Sequence, residues 1–251
     1  MNIIDCYTSG LGERGKLQQL IRKTDIQCRF HSQEPESGFY LQYMNDCLTL
    51  SEASSSLGIS VDFTASAIQQ RIKKTAKKPD LVKAVEGKQK KALYILDMTA
   101  GLGVDAFTLA AHGHRITAIE QNAYLYTILH ASLEKAQSRD PETANIARKI
   151  TLYFGNSNHY RSAKNDRFDR IYLDPMFPER RKSAKVKKNM QLLHKLTIEE
   201  VGTENLLFNT AKKISAKKII VKRPRISEFL NHQIPTHQLV GKSCRFDIYT
   251  L

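Results

Sequence analysis

The stretch that most constrains this chain is Leu93-Tyr94-Ile95-Leu96-Asp97-Met98-Thr99-Ala100-Gly101-Leu102-Gly103-Val104-Asp105. An apolar run ends in an acid, a Gly-x-Gly turn follows, and Ala106-Phe107-Thr108-Leu109-Ala110-Ala111 continues as a helix, which gives strand, tight loop and helix start. Glycines at 101 and 103 let the backbone turn sharply and let a ligand lie against bare main chain, as in nucleotide-cofactor loops. Gly101-x-Gly103-x-x-Ala106 also meets the dinucleotide fingerprint, and Glu120 closes the next apolar run, where a carboxylate can accept hydrogen bonds from two ribose hydroxyls. The glycines alone therefore leave a nicotinamide-dependent oxidoreductase open.

A second stretch, Ile171-Tyr172-Leu173-Asp174-Pro175-Met176-Phe177-Pro178, narrows the reading. A carboxylate, a proline-stiffened turn and an aromatic at a strand tip form a device for holding a planar amine. Asp174 and the Pro175 carbonyl accept its N–H bonds while Phe177 stacks on the base. Dehydrogenases have no need of such a device.

Residues 93–251 alternate as an α/β chain with a mostly parallel, doubly wound sheet requires. Strands are expected at 93–97, 115–120, 151–155, 170–174 and 217–222, with helices at 104–112 and 122–138 and helical segments between 189 and 213. Residues 236–241 and 244–251 read as an antiparallel hairpin at the sheet edge. Ligands of such sheets sit beyond the carboxyl ends of the strands. Asp97, Glu120, Asn156, Ser157 and Asp174 all fall at those ends.

Residues 1–59 read as a small α+β subdomain, with a strand at 1–7, a helix at 15–23 and a strand pair at 39–44 and 47–50. Residues 60–92 read as a basic helical linker: Arg71, Lys73, Lys74, Lys77, Lys78, Lys83, Lys88, Lys90 and Lys91 outweigh Asp80 and Glu86 there.

The whole chain shares that bias, with 39 Lys plus Arg against 25 Asp plus Glu, a net charge of +14 and a pI near 9.6. Such a balance favours a polyanionic partner, nucleic acid first. No apolar run is long enough for a membrane span, and the start shows no signal pattern, so a cytoplasmic protein is expected. Cys6, Cys28, Cys47 and Cys244 are scattered without zinc-ligand spacing, so reduced structural thiols and no metal are expected.

The glycine loop, Glu120 and Asp174–Phe177 resemble the class I S-adenosylmethionine (SAM)-dependent methyltransferases, with their Rossmann-like fold. The closer match is to the ribosomal RNA small subunit methyltransferase J family. It runs through Asp97-x-Thr99-Ala100-Gly101-Leu102-Gly103-x-Asp105-Ala106-Phe107, Tyr172–Pro178, Lys182-Ser183-Ala184-x-Val186-Lys187-Lys188, Val221-Lys222-Arg223-Pro224 and Arg245-Phe246-Asp247-Ile248-Tyr249. It covers roughly residues 60 to 251. The family's acid-arginine pair after the second strand is here Glu120-Gln121, and its arginine before the loop acid is here Val104.

That resemblance implies SAM-dependent methylation of the exocyclic N2 of a guanine in 16S rRNA, as naked RNA or within the small ribosomal subunit. It implies a cofactor site of Asp97, Gly101, Gly103, Val104, Asp105, Glu120, Gln121, Asn156, Ser157 and Asp174, with Asp174, Pro175 and Phe177 catalytic. Asp105 reads alternatively as a helix N-cap, and the two roles are compatible. Arg180, Arg181, Lys182, Lys185, Lys187 and Lys188, beside the target amine, are expected to grip RNA phosphates, with Lys222 and Arg223 extending that surface. Two further readings compete: a non-catalytic RNA-binding protein on a vestigial fold, and an adenine-N6 or DNA methyltransferase using the same tetrapeptide chemistry.

Overall fold

The computed structural model describes residues 2–22, 24–55, 58–73, 78–160, 167–175, 192–193, 195–196 and 203–251. Phe177, Arg180, Arg181, Lys182, Lys185, Lys187 and Lys188 lie outside these described residues.

The first part of the chain builds a sheet of five strands in the order β2-β1-β3-β4-β5. These are β1 (Asn2–Tyr7), β2 (Ile26–His31), β3 (Phe39–Met44), β4 (Cys47–Glu52) and β5 (Gly58–Ile59). The expected strand pair is β3 and β4, joined by Asn45 and Asp46 with φ of 50° and 57°, the left-handed pair that a two-residue hairpin needs. Helix α1 (Leu11–Ile21) begins earlier than expected, because Glu13 Oε2 reaches back to the Ser9 amide at 2.9 Å and hydroxyl at 3.0 Å. Strand β2, parallel to β1, was not expected.

The expected linker is packed. Helices α2 (Ser66–Ile72) and α3 (Asp80–Glu86) bury Ile72, Leu81, Val82, Ala84 and Val85 in the same core as the first sheet and α4 (Val104–Ala111). Phe63, just before α2, stacks on Phe107 of α4 with ring centres 4.2 Å apart and planes 9° from parallel.

The second sheet has seven strands in the order β11-β12-β10-β9-β6-β7-β8. They are β6 (Tyr94–Asp97), β7 (Arg115–Glu120), β8 (Ile150–Phe154), β9 (Phe168–Leu173), β10 (Ala216–Pro224), β11 (His237–Val240) and β12 (Cys244–Thr250). Strands β8, β7, β6, β9 and β10 run parallel, and β12 is antiparallel to both of its neighbours. This is the doubly wound α/β fold with its antiparallel edge pair. Among the described residues, helices α5 (Ala123–Gln137), α6 (Pro141–Ala147) and α7 (Thr203–Lys213) accompany it.

The chain leaves β6 toward β7 and β8 on one side and returns to β9 and β10 on the other. The strand order therefore reverses between β6 and β9, and a crevice opens beyond their carboxyl ends. Asp97 ends β6 and Asp174 follows β9, so both expected acids stand at this switch point.

Candidate active site

Gly103 caps α4 at φ 73°, and Gly101 has φ 53°. A Cβ on Gly103 would come to 2.4 Å of Leu129 Cδ1, whereas a Cβ on Gly101 would enter open space. One glycine thus lets the loop approach α5, and the other leaves room above the loop.

The loop is held from beneath. Glu120 Oε2 accepts the Gly101 N–H and Oε1 the Asn122 N–H, both at 2.7 Å. Asp97 Oδ1 accepts the Thr99 amide at 3.0 Å and, more loosely, its hydroxyl at 3.5 Å. Thr99 Oγ1 accepts the Asp174 N–H at 2.7 Å, which ties the tip of β9 to the loop after β6. Ser157 Oγ donates to the Met98 carbonyl at 2.6 Å, and Asn156 Oδ1 accepts the Asn158 N–H at 2.8 Å.

These groups share one cavity of about 640 Å³, lined by Asp97, Gly101, Gly103, Val104, Asp105, Glu120, Gln121, Asn156, Ser157, Asp174 and Pro175. Leu102, Ile119, Leu125, Leu193, Leu196 and Leu207 add an apolar wall. Arg71, Thr99, Tyr172 and Lys222 line it too.

Three sequence expectations are corrected here. Asp105 is not the N-cap: Gly103 holds that position, and the Asp105 carboxylate turns inward instead. Its Oδ1 accepts from Arg71 at 2.9 Å, and its Oδ2 from the Tyr172 hydroxyl at 2.7 Å and from Lys222 at 2.8 Å. Lys222 does not join an outer RNA surface, because its Nζ lies in the cavity, 2.7 Å from Asp174 Oδ2. Arg223 is buried at 6% exposure, donating to Glu204 at 3.1 Å and to the Glu228 carbonyl at 2.8 Å. Strand β10 runs on to Pro224, so consecutive residues 222 and 223 point to opposite faces of the sheet.

Carboxylates crowd this site, and their titration reflects it. Burial, with the nearby Asp105, Asp174 and Glu120 adding to it against one amide bond from Thr99, pushes the Asp97 carboxyl up to about 7. Burial also raises Asp174, where Lys222 pulls the other way and Asp105 adds to the rise. Burial opposes ionisation of Asp105 as well, but Lys222, the Tyr172 hydroxyl and Arg71 hold it below the usual range. Lys222 is pushed above its ordinary value, because Asp174 and Asp105 outweigh the effect of burial.

A family of SAM-dependent methyltransferases matches residues 20–251. The ribosomal RNA small subunit methyltransferase J of Francisella tularensis subsp. novicida is 46% identical over 213 residues, which cover 84% of this chain and 87% of that one. The chain belongs to the ribosomal RNA small subunit methyltransferase J family. The Francisella philomiragia member is 44% identical over 213 residues, covering 84% of this chain and 88% of its own length. A crystal structure of a SAM-dependent methyltransferase from Neisseria gonorrhoeae shares the fold with a TM-score of 0.72 at 31% identity, covering 98% of this chain and 96% of that one. The protein is thus a SAM-dependent methyltransferase, which removes the nicotinamide-dependent alternative.

Proposed function

We propose that this methyltransferase acts on the exocyclic N2 of a guanine in small-subunit ribosomal RNA, in the cytoplasm. The observation that carries the reading is that Asp174 and the glycine loop face one cavity, their strand tips joined by the 2.7 Å Asp174–Thr99 bond. The printed names of the Francisella relatives and the net charge of +14 support ribosomal RNA as the substrate.

The lining fits the cofactor. The wall of Leu102, Ile119, Leu125 and Leu207 suits an adenine face, with Asn156 and Ser157 beside it. Glu120, whose carboxylate lines the cavity at the end of β7, suits the ribose hydroxyls. Open space above Gly101 admits the cofactor chain, and the buried acid Asp97 suits its cationic amino-acid end. SAM supplies a methyl group on a positively charged sulfur, already a strong electrophile.

The remaining task for the protein is to prepare a poor nucleophile, since the guanine amine delocalises its lone pair into the ring. Asp174 and the Pro175 carbonyl accept the amine N–H bonds, which favours a tetrahedral nitrogen and aims its lone pair at the methyl. Phe177 stacks on the base, and Arg180, Arg181, Lys182, Lys185, Lys187 and Lys188 hold the RNA backbone. The test is incubation with labelled SAM and under-methylated small subunits, followed by mass spectrometric mapping. One guanine should carry the label, and Asp174→Ala should remove it. Label on an adenine, DNA or protein instead defeats the substrate assignment.

A further inference from the structure

Lys222 enters the cavity from β10 and meets two carboxylates from two other elements. Its Nζ lies 2.7 Å from Asp174 Oδ2 and 2.8 Å from Asp105 Oδ2. Asp105 cannot swing away, because the Tyr172 hydroxyl of β9 and Arg71 of α2 hold it as well. At Asp174 the main-chain N–H is fixed by Thr99 Oγ1, and Oδ2 is taken by Lys222, whereas Oδ1 has no hydrogen-bond partner among the described residues. The Asp174 side chain is still 33% exposed, so that acceptor remains open to the cavity.

We propose that Lys222 is a positioning residue for methyl transfer: it clamps Asp174 Oδ2 against the anchored Asp105 and so presents Asp174 Oδ1, as a carboxylate, to the target amine. The inference rests on the function proposed above. An ammonium held between two acids in a partly desolvated cavity is a poor device for stability, since desolvation cancels much of the attraction. It is a good device for fixing one oxygen and keeping it an acceptor. A protonated Asp174 would offer a hydroxyl donor where the amine needs an acceptor.

The charged and titratable groups around Asp174 set the sign of the test. Lys222 of β10 faces it directly and favours its anion, while Asp105 of α4 disfavours it. Asp97 of β6 and Tyr172 of β9 are coupled to it electrostatically, Arg71 of α2 acts through Asp105, and Glu120 of β7 acts on Asp97. Removing Lys222 therefore raises the pH at which Asp174 ionises, and removing Asp105 lowers it.

The experiment measures single-turnover methylation of under-methylated small subunits from pH 5 to 9, with SAM affinity measured separately by calorimetry. Lys222→Met should lose about 100-fold in rate, the scale of one transition-state-orienting contact. Its acid limb should move to higher pH, with RNA half-saturation and SAM affinity changed only a few-fold. Lys222→Arg should return the limb toward the wild-type position, and Asp105→Asn should shift it to lower pH. Should Lys222→Met fail to fold, the opposed behaviour of the Arg and Asp105→Asn variants decides. Rates within threefold of wild type, limbs that do not move, or a loss confined to RNA half-saturation that fades at low salt would overturn the role of Lys222. Wild-type protein that labels no guanine would instead sink the proposed function.

Discussion

The main-chain N–H of Asp174 donates to Thr99 Oγ1 at 2.7 Å, and the Thr99 amide donates to Asp97 Oδ1 at 3.0 Å. A single threonine thus fixes the acid after β9 to the acid that ends β6. Thr99→Val keeps the shape but strands the Asp174 amide, at a cost of about 1–3 kcal/mol in stability. Thermal melting should show that loss, and methyl transfer should fall further than the change in SAM affinity accounts for. Thr99→Ser should restore both, and a valine variant with wild-type activity would detach the proposed catalytic turn from the loop.

How far the sequence carries can be read from particular residues. Strands β6, β7 and β9 were legible because each apolar run ends in an acid followed by turn residues, and the acids stand at the strand tips as expected. Helix α6 lies outside the expected elements although its start is written locally: Asp140 Oδ1 caps the Thr143 amide at 2.9 Å, and Pro141 takes the first helical position. Strand β2 lies outside them too, although Ile26-Gln27-Cys28-Arg29-Phe30-His31 alternates with period two. The partners of Lys222 were beyond reach for a different reason. They depend on β10 lying beside β9, a sheet order that no local pattern encodes, whereas the opposite facing of Arg223 follows once the strand is extended to Pro224.

SAM uptake should be linked to proton release. Asp97 is pushed up to about 7 by burial and by its acidic neighbours, so the free protein holds a proton there through mildly acidic pH. A cationic ligand group beside Asp97 favours its anion, which expels that proton. Affinity for SAM should therefore rise with pH up to about 7 and level off above it. For folding the sign is opposite: the native state binds this proton more tightly than the unfolded chain, so the contribution is full at low pH and is lost as pH rises toward 7. Calorimetry in two buffers of different ionisation enthalpy measures the proton count, and a heat independent of buffer at pH 6.5 would refute the linkage.

The two loop glycines should fail differently. Gly103→Ala forces φ 73° on an alanine and drives its Cβ to 2.4 Å of the buried Leu129 side chain, so a loss of about 2–4 kcal/mol in stability is expected. Gly101→Ala carries the φ 53° strain of about 1–2 kcal/mol but meets no protein atom within 4 Å. Its methyl instead occupies space proposed for the cofactor. Chemical denaturation paired with SAM titration should show Gly103→Ala losing more stability and Gly101→Ala losing more affinity than its stability loss explains. Equal losses in both measurements would put the open space above Gly101 outside the SAM site.

The position of Arg223 separates structural from RNA-contacting basic residues. Its guanidinium is 6% exposed, with Glu204 Oε2 at 3.1 Å and the Glu228 carbonyl at 2.8 Å. Arg223→Ala takes the Arg223 donor from Glu204 and leaves the Glu228 carbonyl with only the longer 3.4 Å bond from Arg245, at a cost of about 2–4 kcal/mol, so it should lower the melting temperature. Once folded, the variant should keep the wild-type salt dependence of RNA binding, because no phosphate contact is lost. Lys182→Ala and Lys187→Ala, proposed to touch phosphates, should leave melting unchanged and each reduce the slope of log affinity against log salt by about 1. Binding isotherms at several salt concentrations make the comparison, and a reduced slope for Arg223→Ala would return that residue to the RNA surface.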